Sequence, residues 1–261
     1  MLISLSTTLK IRSGVATQNL KMIFPKKSAK EIKTILKGMY KTIAINIAEI
    51  YLADKIKLYE SAKVNGWENL EEALSLGKGV ILASGHLGNW ELAGAYIASK
   101  HNLSVVIKKQ KNPLFNDYTV KIRQKDNIKM IYKKRALRGI LKDLKNNYIV
   151  TILFDQDAGK AGIKMDFLEH PASVFTGTAK IAVMTGAPIV PAFALRDENG
   201  NNFFVLEKPI YIKSASKNDE LIKEITLEVS KKLEKHIIKH PEQWFWVHRR
   251  WKGANKAREE I

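Results

Sequence analysis

His86 and Glu91 lie five positions apart in Ala83-Ser84-Gly85-His86-Leu87-Gly88-Asn89-Trp90-Glu91-Leu92. A histidine beside a carboxylate can act as a general base. Glu91 could accept the Nδ1–H of His86 and fix the tautomer, leaving Nε2 free to take a proton from a hydroxyl. The elements that must hold this pair can be read on either side of it. Val80-Ile81-Leu82-Ala83 is an apolar run that predicts a short buried strand, and Leu92 to Ala98 predicts a helix. Asn89 is placed as the N-cap, so Glu91 enters the first helical turn and His86 follows the strand. In an open α/β sheet, ligands bind beyond the carboxyl ends of the strands. Gly85 and Gly88 would let the chain turn sharply and let a substrate approach closely.

A second acidic step falls after another strand. Tyr148 to Phe154 predicts a buried strand that ends in Asp155-Gln156-Asp157-Ala158-Gly159, which puts both acids on the same sheet edge as His86. Two acids without a histidine partner argue against a metal site. Near the end of the chain, Pro241-Glu242-Gln243-Trp244-Phe245-Trp246-Val247-His248-Arg249-Arg250-Trp251-Lys252 gathers three tryptophans and two adjacent arginines. Such a segment either closes the core with its indoles or meets an anionic interface or phosphate with Trp and Arg together.

Around these stretches the sequence predicts alternating strands and helices. Ser28 and Glu31 form a capping box, after which Ile32, Ile35, Leu36, Met39, Tyr40, Ile43, Ile47 and Ile50 mark one helical face. Further helices are predicted from Gly66 to Ala73, from about Leu114, from Lys133 to Lys145, from Thr178 to Met184 and from Asp219 to Lys239. Further strands are predicted over 103–107, 188–195 and 203–206, the last two joined by an Asn-Gly turn. The fold class expected is a single α/β domain with a mixed, largely parallel central sheet flanked by helices. Residues 1–27 are expected to be a membrane-proximal N-terminal segment, 28–255 the single domain and 256–261 a tail.

The 261 residues suffice for one such domain with a sizeable core. With no cysteine there is no disulfide, no Cys-ligated zinc and no cysteine acyl-enzyme. A net charge of +18 implies attraction to something acidic: lipid headgroups, an acidic carrier protein or nucleic acid. No apolar stretch reaches the length of about 18 residues that a spanning helix needs. Lys10 and Arg12 follow the first weak apolar stretch, the reverse of a signal peptide.

His86-Leu87-Gly88-Asn89-Trp90-Glu91 resembles the His-x4-acid signature of glycerolipid acyltransferases in its Glu form. The Pro-x-Gln-Trp-x-Trp-x-x-Arg-Arg-Trp-Lys run resembles the end of the late acyltransferases of lipid A biosynthesis, a group within them. The resemblance spans roughly residues 12–253. It implies transfer of a fatty acyl chain from acyl carrier protein or coenzyme A to a hydroxyl of an anionic membrane glycolipid, most directly a lipid A precursor. The implied place is the cytoplasmic face of a bacterial inner membrane. No cofactor or metal beyond the donor is implied. His86 would be the general base and Glu91 its orienting partner. Arg123, 32 residues past Glu91, falls where the family has a functional arginine that contacts a substrate anion or oxyanion. Asp155 falls on an important acid, expected to orient Arg123 or a polar loop. Asn89, Trp90, Thr176, Arg249 and Arg250 complete the expected substrate-binding set, with Gly177 beside Thr176. Family members commonly start with a membrane-anchor helix, and this chain starts close to where that anchor would end. A hydrolase is disfavoured by the lack of a Gly-x-Ser-x-Gly elbow. A nucleic-acid-binding protein is disfavoured by the lack of a reader helix or aromatic RNA motif. A catalytically dead scaffold would not need the intact His and Glu.

Overall fold

The computed structural model describes residues 11–56, 58–110, 112–133, 136–212 and 219–252. The expected tail, 256–261, and the first ten residues of the expected N-terminal segment lie outside them. In chain order the elements are α1 (Ser13–Ile23), α2 (Ala29–Ile56), β1 (Lys63–Asn65), α3 (Trp67–Ser75), β2 (Val80–Ser84), α4 (Trp90–Ala98), β3 (Leu103–Ile107), α5 (Pro113–Lys125) and β4 (Lys129–Tyr132). They continue with α6 (Ala136–Lys145), β5 (Ile149–Leu153), β6 (Ile163–Phe167), β7 (His170–Val174), α7 (Gly177–Thr185), β8 (Ile189–Arg196), β9 (Asn202–Leu206) and α8 (Asp219–Lys239).

The main sheet has seven strands in the order β1-β9-β8-β2-β5-β3-β4. All its pairings are parallel except the β8–β9 hairpin. This is the mixed, largely parallel sheet expected from the sequence. β2 is central and buried along its whole length, which is why Val80 to Ala83 reads as an unbroken apolar run. Alternate residues of β2 feed opposite faces of the sheet. Ile81 and Ala83 join the core made with α6, α7 and α8. Val80 and Leu82 join the core made with α3, α4 and Ile128, the residue before β4.

Two further strands, β6 and β7, pair antiparallel beyond the end of β5. Leu168 and Glu169 turn between them with φ of 51° and 62°. The sequence reading missed helix α1, this hairpin and the short edge strands β1 and β4. Lys164, Asp166 and Lys129 interrupt the strands' apolar patterns, and each strand has at most five residues.

The capping box starts α2 as expected: the Ser28 backbone N–H donates to Glu31 at 2.8 Å, and the Glu31 N–H donates to Ser28 Oγ at 3.3 Å. α1 packs on α2 and buries Ala16 and Leu20. No helix among the described residues is long and apolar enough to cross a membrane.

Candidate active site

Parallel register brings His86 and Asp155 together. Ser84 of β2 is paired with Leu153 of β5, and each functional residue lies two positions past its paired partner. The Phe154 N–H donates to the Ser84 carbonyl at 3.0 Å, so the strands are still coupled where they release the two side chains. His86 Nδ1 lies 2.7 Å from Asp155 Oδ1, and the His86 backbone N–H donates to Asp155 Oδ2 at 2.8 Å. Trp244 Nε1–H donates to the same Oδ2 at 2.8 Å. An ionised carboxylate only accepts, so Nδ1 carries the proton and Nε2 is left as the basic atom.

The electrostatics agree with this assignment. Burial would raise Asp155, which is 2% exposed, but the His86 charge and the hydrogen bonds from His86 and Trp244 hold its carboxyl well below the usual carboxylate range. For His86, burial pulls the imidazole down. The Asp155 carboxylate, with a smaller contribution from Glu91, outweighs that and lifts it above its ordinary value. His86 keeps access to solvent, with its side chain 20% exposed. Trp90 meets its ring edge-on at 5.0 Å between centroids, and Phe245 tilts over it at 6.1 Å. Gln156 Nε2 stands 3.3 Å from His86 Nε2.

Glu91 is therefore not the acceptor of the His86 Nδ1–H. Asn89 caps α4 by accepting the Leu92 N–H at 3.1 Å, and Glu91 in the first turn points to a different partner. Arg123 Nε donates to Glu91 Oε2 at 3.0 Å, and Arg123 Nη2 donates to Oε1, a two-pronged guanidinium–carboxylate contact. Side-chain exposures of 17% and 24% keep the pair at the wall of the site. The expectation that Asp155 orients Arg123 is corrected by the same contacts: Glu91 holds Arg123, and Asp155 holds His86.

The other expected substrate contacts separate. Trp90 stands at the imidazole. Asn89 is 1% exposed, and its amide donates to Glu49 of α2 at 2.7 Å, so its side chain holds the loop from within. Thr176 is 2% exposed at the start of α7, away from solvent. Gly177 follows a Phe175 ring so closely that a Cβ there would meet it at 2.1 Å. Arg249 is exposed, whereas Arg250 has no exposed surface, lies 4.5 Å over the Phe167 ring and donates from Nη1 to the Ser173 carbonyl at 2.6 Å. Arg250 therefore braces the β6–β7 hairpin and is not a surface phosphate clamp. Trp244, Trp246 and Trp251 are each at most 2% exposed. The indoles close the core.

That closing segment also shapes the loop around His86. The Phe245 N–H donates to the His86 carbonyl at 3.1 Å, and the Gly88 N–H donates to the Gln243 carbonyl at 3.0 Å. Gly88 has φ of 56°, and a Cβ there would come within 2.3 Å of the Ala194 carbonyl oxygen, so no other residue fits. Behind the loop lies a buried polar cluster that sequence reading did not find. Arg196, 7% exposed, donates from Nη1 to Glu49 Oε1 at 2.8 Å and from Nη2 to Asn46 Oδ1 at 2.9 Å. Asn202 donates to Glu49 at 3.1 Å. The available signal was a pair of polar residues, Asn46 and Glu49, spaced three apart on the core side of α2.

Several known proteins are similar to this chain in sequence. The Escherichia coli lipid A biosynthesis palmitoleoyltransferase is 26% identical over 94% of this chain and 80% of its own length. The lauroyltransferase of the same organism is 25% identical over the same shares. A phosphatidylinositol mannoside acyltransferase of Mycobacterium tuberculosis is 25% identical over 72% of this chain and 59% of its own length. Among solved structures, the 1-acyl-sn-glycerophosphate acyltransferase of Thermotoga maritima aligns with a TM-score of 0.43 and 18% identity, covering 90% of this chain and 93% of its own. The model of the bacterial lipid A biosynthesis acyltransferases matches residues 3–253, and the chain belongs to that family.

Proposed function

We propose that this protein transfers a fatty acyl chain from a thioester, carried on acyl carrier protein or coenzyme A, to a hydroxyl of a lipid A precursor. His86 is the general base. The single observation that carries this reading is a solvent-reachable imidazole whose Nδ1–H is held by a buried carboxylate at the carboxyl edge of the sheet. Membership of an acyltransferase family supplies the chemistry for which such a base is suited.

In this scheme the acceptor oxygen attacks the thioester carbonyl while Nε2 of His86 takes its proton. The Asp155 carboxylate stabilises the imidazolium that forms. Collapse of the tetrahedral intermediate expels the thiolate, and the imidazolium returns the proton to it. Glu91 fixes Arg123 through Nε and Nη2, so the Nη1 donors are oriented toward an anionic substrate group or the developing oxyanion. Trp90 and Phe245 exclude water on two sides of the imidazole, which favours the lipid hydroxyl over hydrolysis.

The similarity to phosphatidylinositol mannoside acyltransferases favours a second acceptor class, a mannosylated phospholipid. The purified protein should be incubated with acyl carrier protein and coenzyme A thioesters and with each acceptor, and the products weighed by mass spectrometry. An acceptor heavier by one acyl group is the expected result. Thioester hydrolysis with every acceptor left unchanged would overturn the assignment.

A further inference from the structure

Trp244, Trp246 and Trp251 are buried and offer no membrane contact, and positive charge is dense in another stretch. Residues 108–138 carry eleven Lys and Arg against two Asp, and of the eleven Arg123 and Lys129 are paired with Glu91 and Asp143 outside the stretch. Within that stretch three large apolar side chains are exposed: Leu114 at 83%, Phe115 at 48% and Leu137 at 48%. Exposed apolar residues scattered singly need no explanation. These three occupy the first turns of two successive helices, α5 and α6, and Tyr132 between them is 46% exposed at the last position of β4.

Both helices follow strands that run parallel to β2, so both start at the carboxyl edge where His86 stands. Ile128, next to the end of α5, packs into the core on the α4 side, and Ile140 of α6 packs into the opposite one. The two starts thus flank the sheet and project past one end of it. Arg123 of α5 meets Glu91 in the first turn of α4. Phe115, eight residues earlier, therefore stands roughly 12 Å farther out along the α5 axis. Lys109, Lys133 and Arg138 are exposed around these side chains.

We propose that this corner, the starts of α5 and α6 with the end of β4, is the surface by which the protein docks on a bilayer rich in anionic phospholipid. Leu114, Phe115 and Leu137 enter the headgroup boundary, and the cations meet phosphates. The argument for a bilayer is charge complementarity together with shape. The apolar side chains stand out from two helix starts on opposite faces of the sheet and suit a broad, deformable partner. The site faces the same way, so a lipid acceptor can be drawn up to His86 without leaving the surface. That last point rests on the acyl-transfer reading; the docking itself does not.

Co-sedimentation with phosphatidylcholine vesicles, with and without phosphatidylglycerol, tests this. Wild type should bind the phosphatidylglycerol vesicles, and salt should release it. L114S/F115S should reduce the bound-to-free ratio about tenfold, and K109E/K133E at least about thirtyfold, at about one kcal/mol for each of the two lost basic contacts. L137S on the second helix gives an independent check, and H86A should bind like wild type whether or not the protein transfers acyl groups. Vesicle binding by the patch variants equal to wild type would overturn the proposal. So would unchanged vesicle binding accompanied by lost affinity for acyl carrier protein, since the face would then belong to an acidic protein partner.

Discussion

The buried carboxylate of Asp155 accepts three hydrogen bonds, two from His86 and one from Trp244, and so has one orientation available. That geometry fixes the tautomer of the imidazole, while Glu91 and Arg123 form a separate unit at the site wall. Because the two act together, E91A and R123A should each lower acyl transfer, and the double variant should be no slower than the worse single. Losses that multiply in kinetics would count against a unit. Ser84, the nearest hydroxyl in sequence, is 7% exposed at the end of β2. Direct transfer predicts that S84A keeps most activity and that labelled donor without acceptor leaves no acyl group on the protein. Stoichiometric label on wild type, absent from S84A, would instead establish an acyl-serine. At this scale the sequence singled out His86, Glu91, Arg123 and Asp155 but assigned their partners wrongly. Proximity in sequence favoured Glu91 for His86, whereas strand register decided for Asp155, a relation across 69 residues that no local spacing encodes.

Each element that carries a functional residue is positioned by something outside itself. The His86 loop is held from one side by Gln243 to Phe245 and from the other by α2, where Glu49 serves Asn89 and Arg196 at once. Removing one partner of a buried ion pair leaves an uncompensated charge, typically at a cost of about 3–5 kcal/mol. E49A should therefore lower the midpoint of thermal unfolding followed by circular dichroism, and should slow transfer at temperatures where it remains folded. A melting midpoint and a transfer rate both equal to wild type would show that the cluster contributes to neither. Central strands and every helix but α1 were legible because apolar periodicity marks them, and α8 matches its predicted span, Asp219–Lys239. The short edge strands and the β6–β7 hairpin were not, because partial exposure breaks the alternation that identifies a strand.

For the molecule as a whole, the position of the last described segment separates stability from surface attachment. Trp246 has no exposed surface and meets Trp244 edge-on at 4.6 Å, and Asn19 of α1 donates to its carbonyl at 2.8 Å. The two ends of the described chain thus close one core. W246A should cost about 3–5 kcal/mol in denaturant unfolding, the usual range for truncating a buried aromatic. It should leave binding to anionic vesicles unchanged while the protein is folded. Lost vesicle binding with full stability would return the tryptophans to the membrane surface. From sequence, composition could announce attraction to an acidic partner but could not place it, because cations recur along the whole chain. Only the fold sets Leu114, Phe115 and Leu137 at helix starts with exposed Lys109, Lys133 and Arg138, on the carboxyl edge of the sheet.

The most direct test of the dyad is the pH profile of kcat/KM for acyl transfer in wild type, D155N and E91Q. In the proposed mechanism neutral His86 is the active form, and the Asp155 carboxylate raises its pKa, so activity should rise with pH through a midpoint above the ordinary imidazole value of about 6.5. D155N removes the charge that favours imidazolium. Its midpoint should move to lower pH, while the plateau rate falls at least about a hundredfold with the orienting acceptor lost. E91Q should shift the midpoint less, because Glu91 is the smaller contributor. A D155N enzyme with wild-type rate and midpoint, alongside an E91Q enzyme that loses both, would contradict the account.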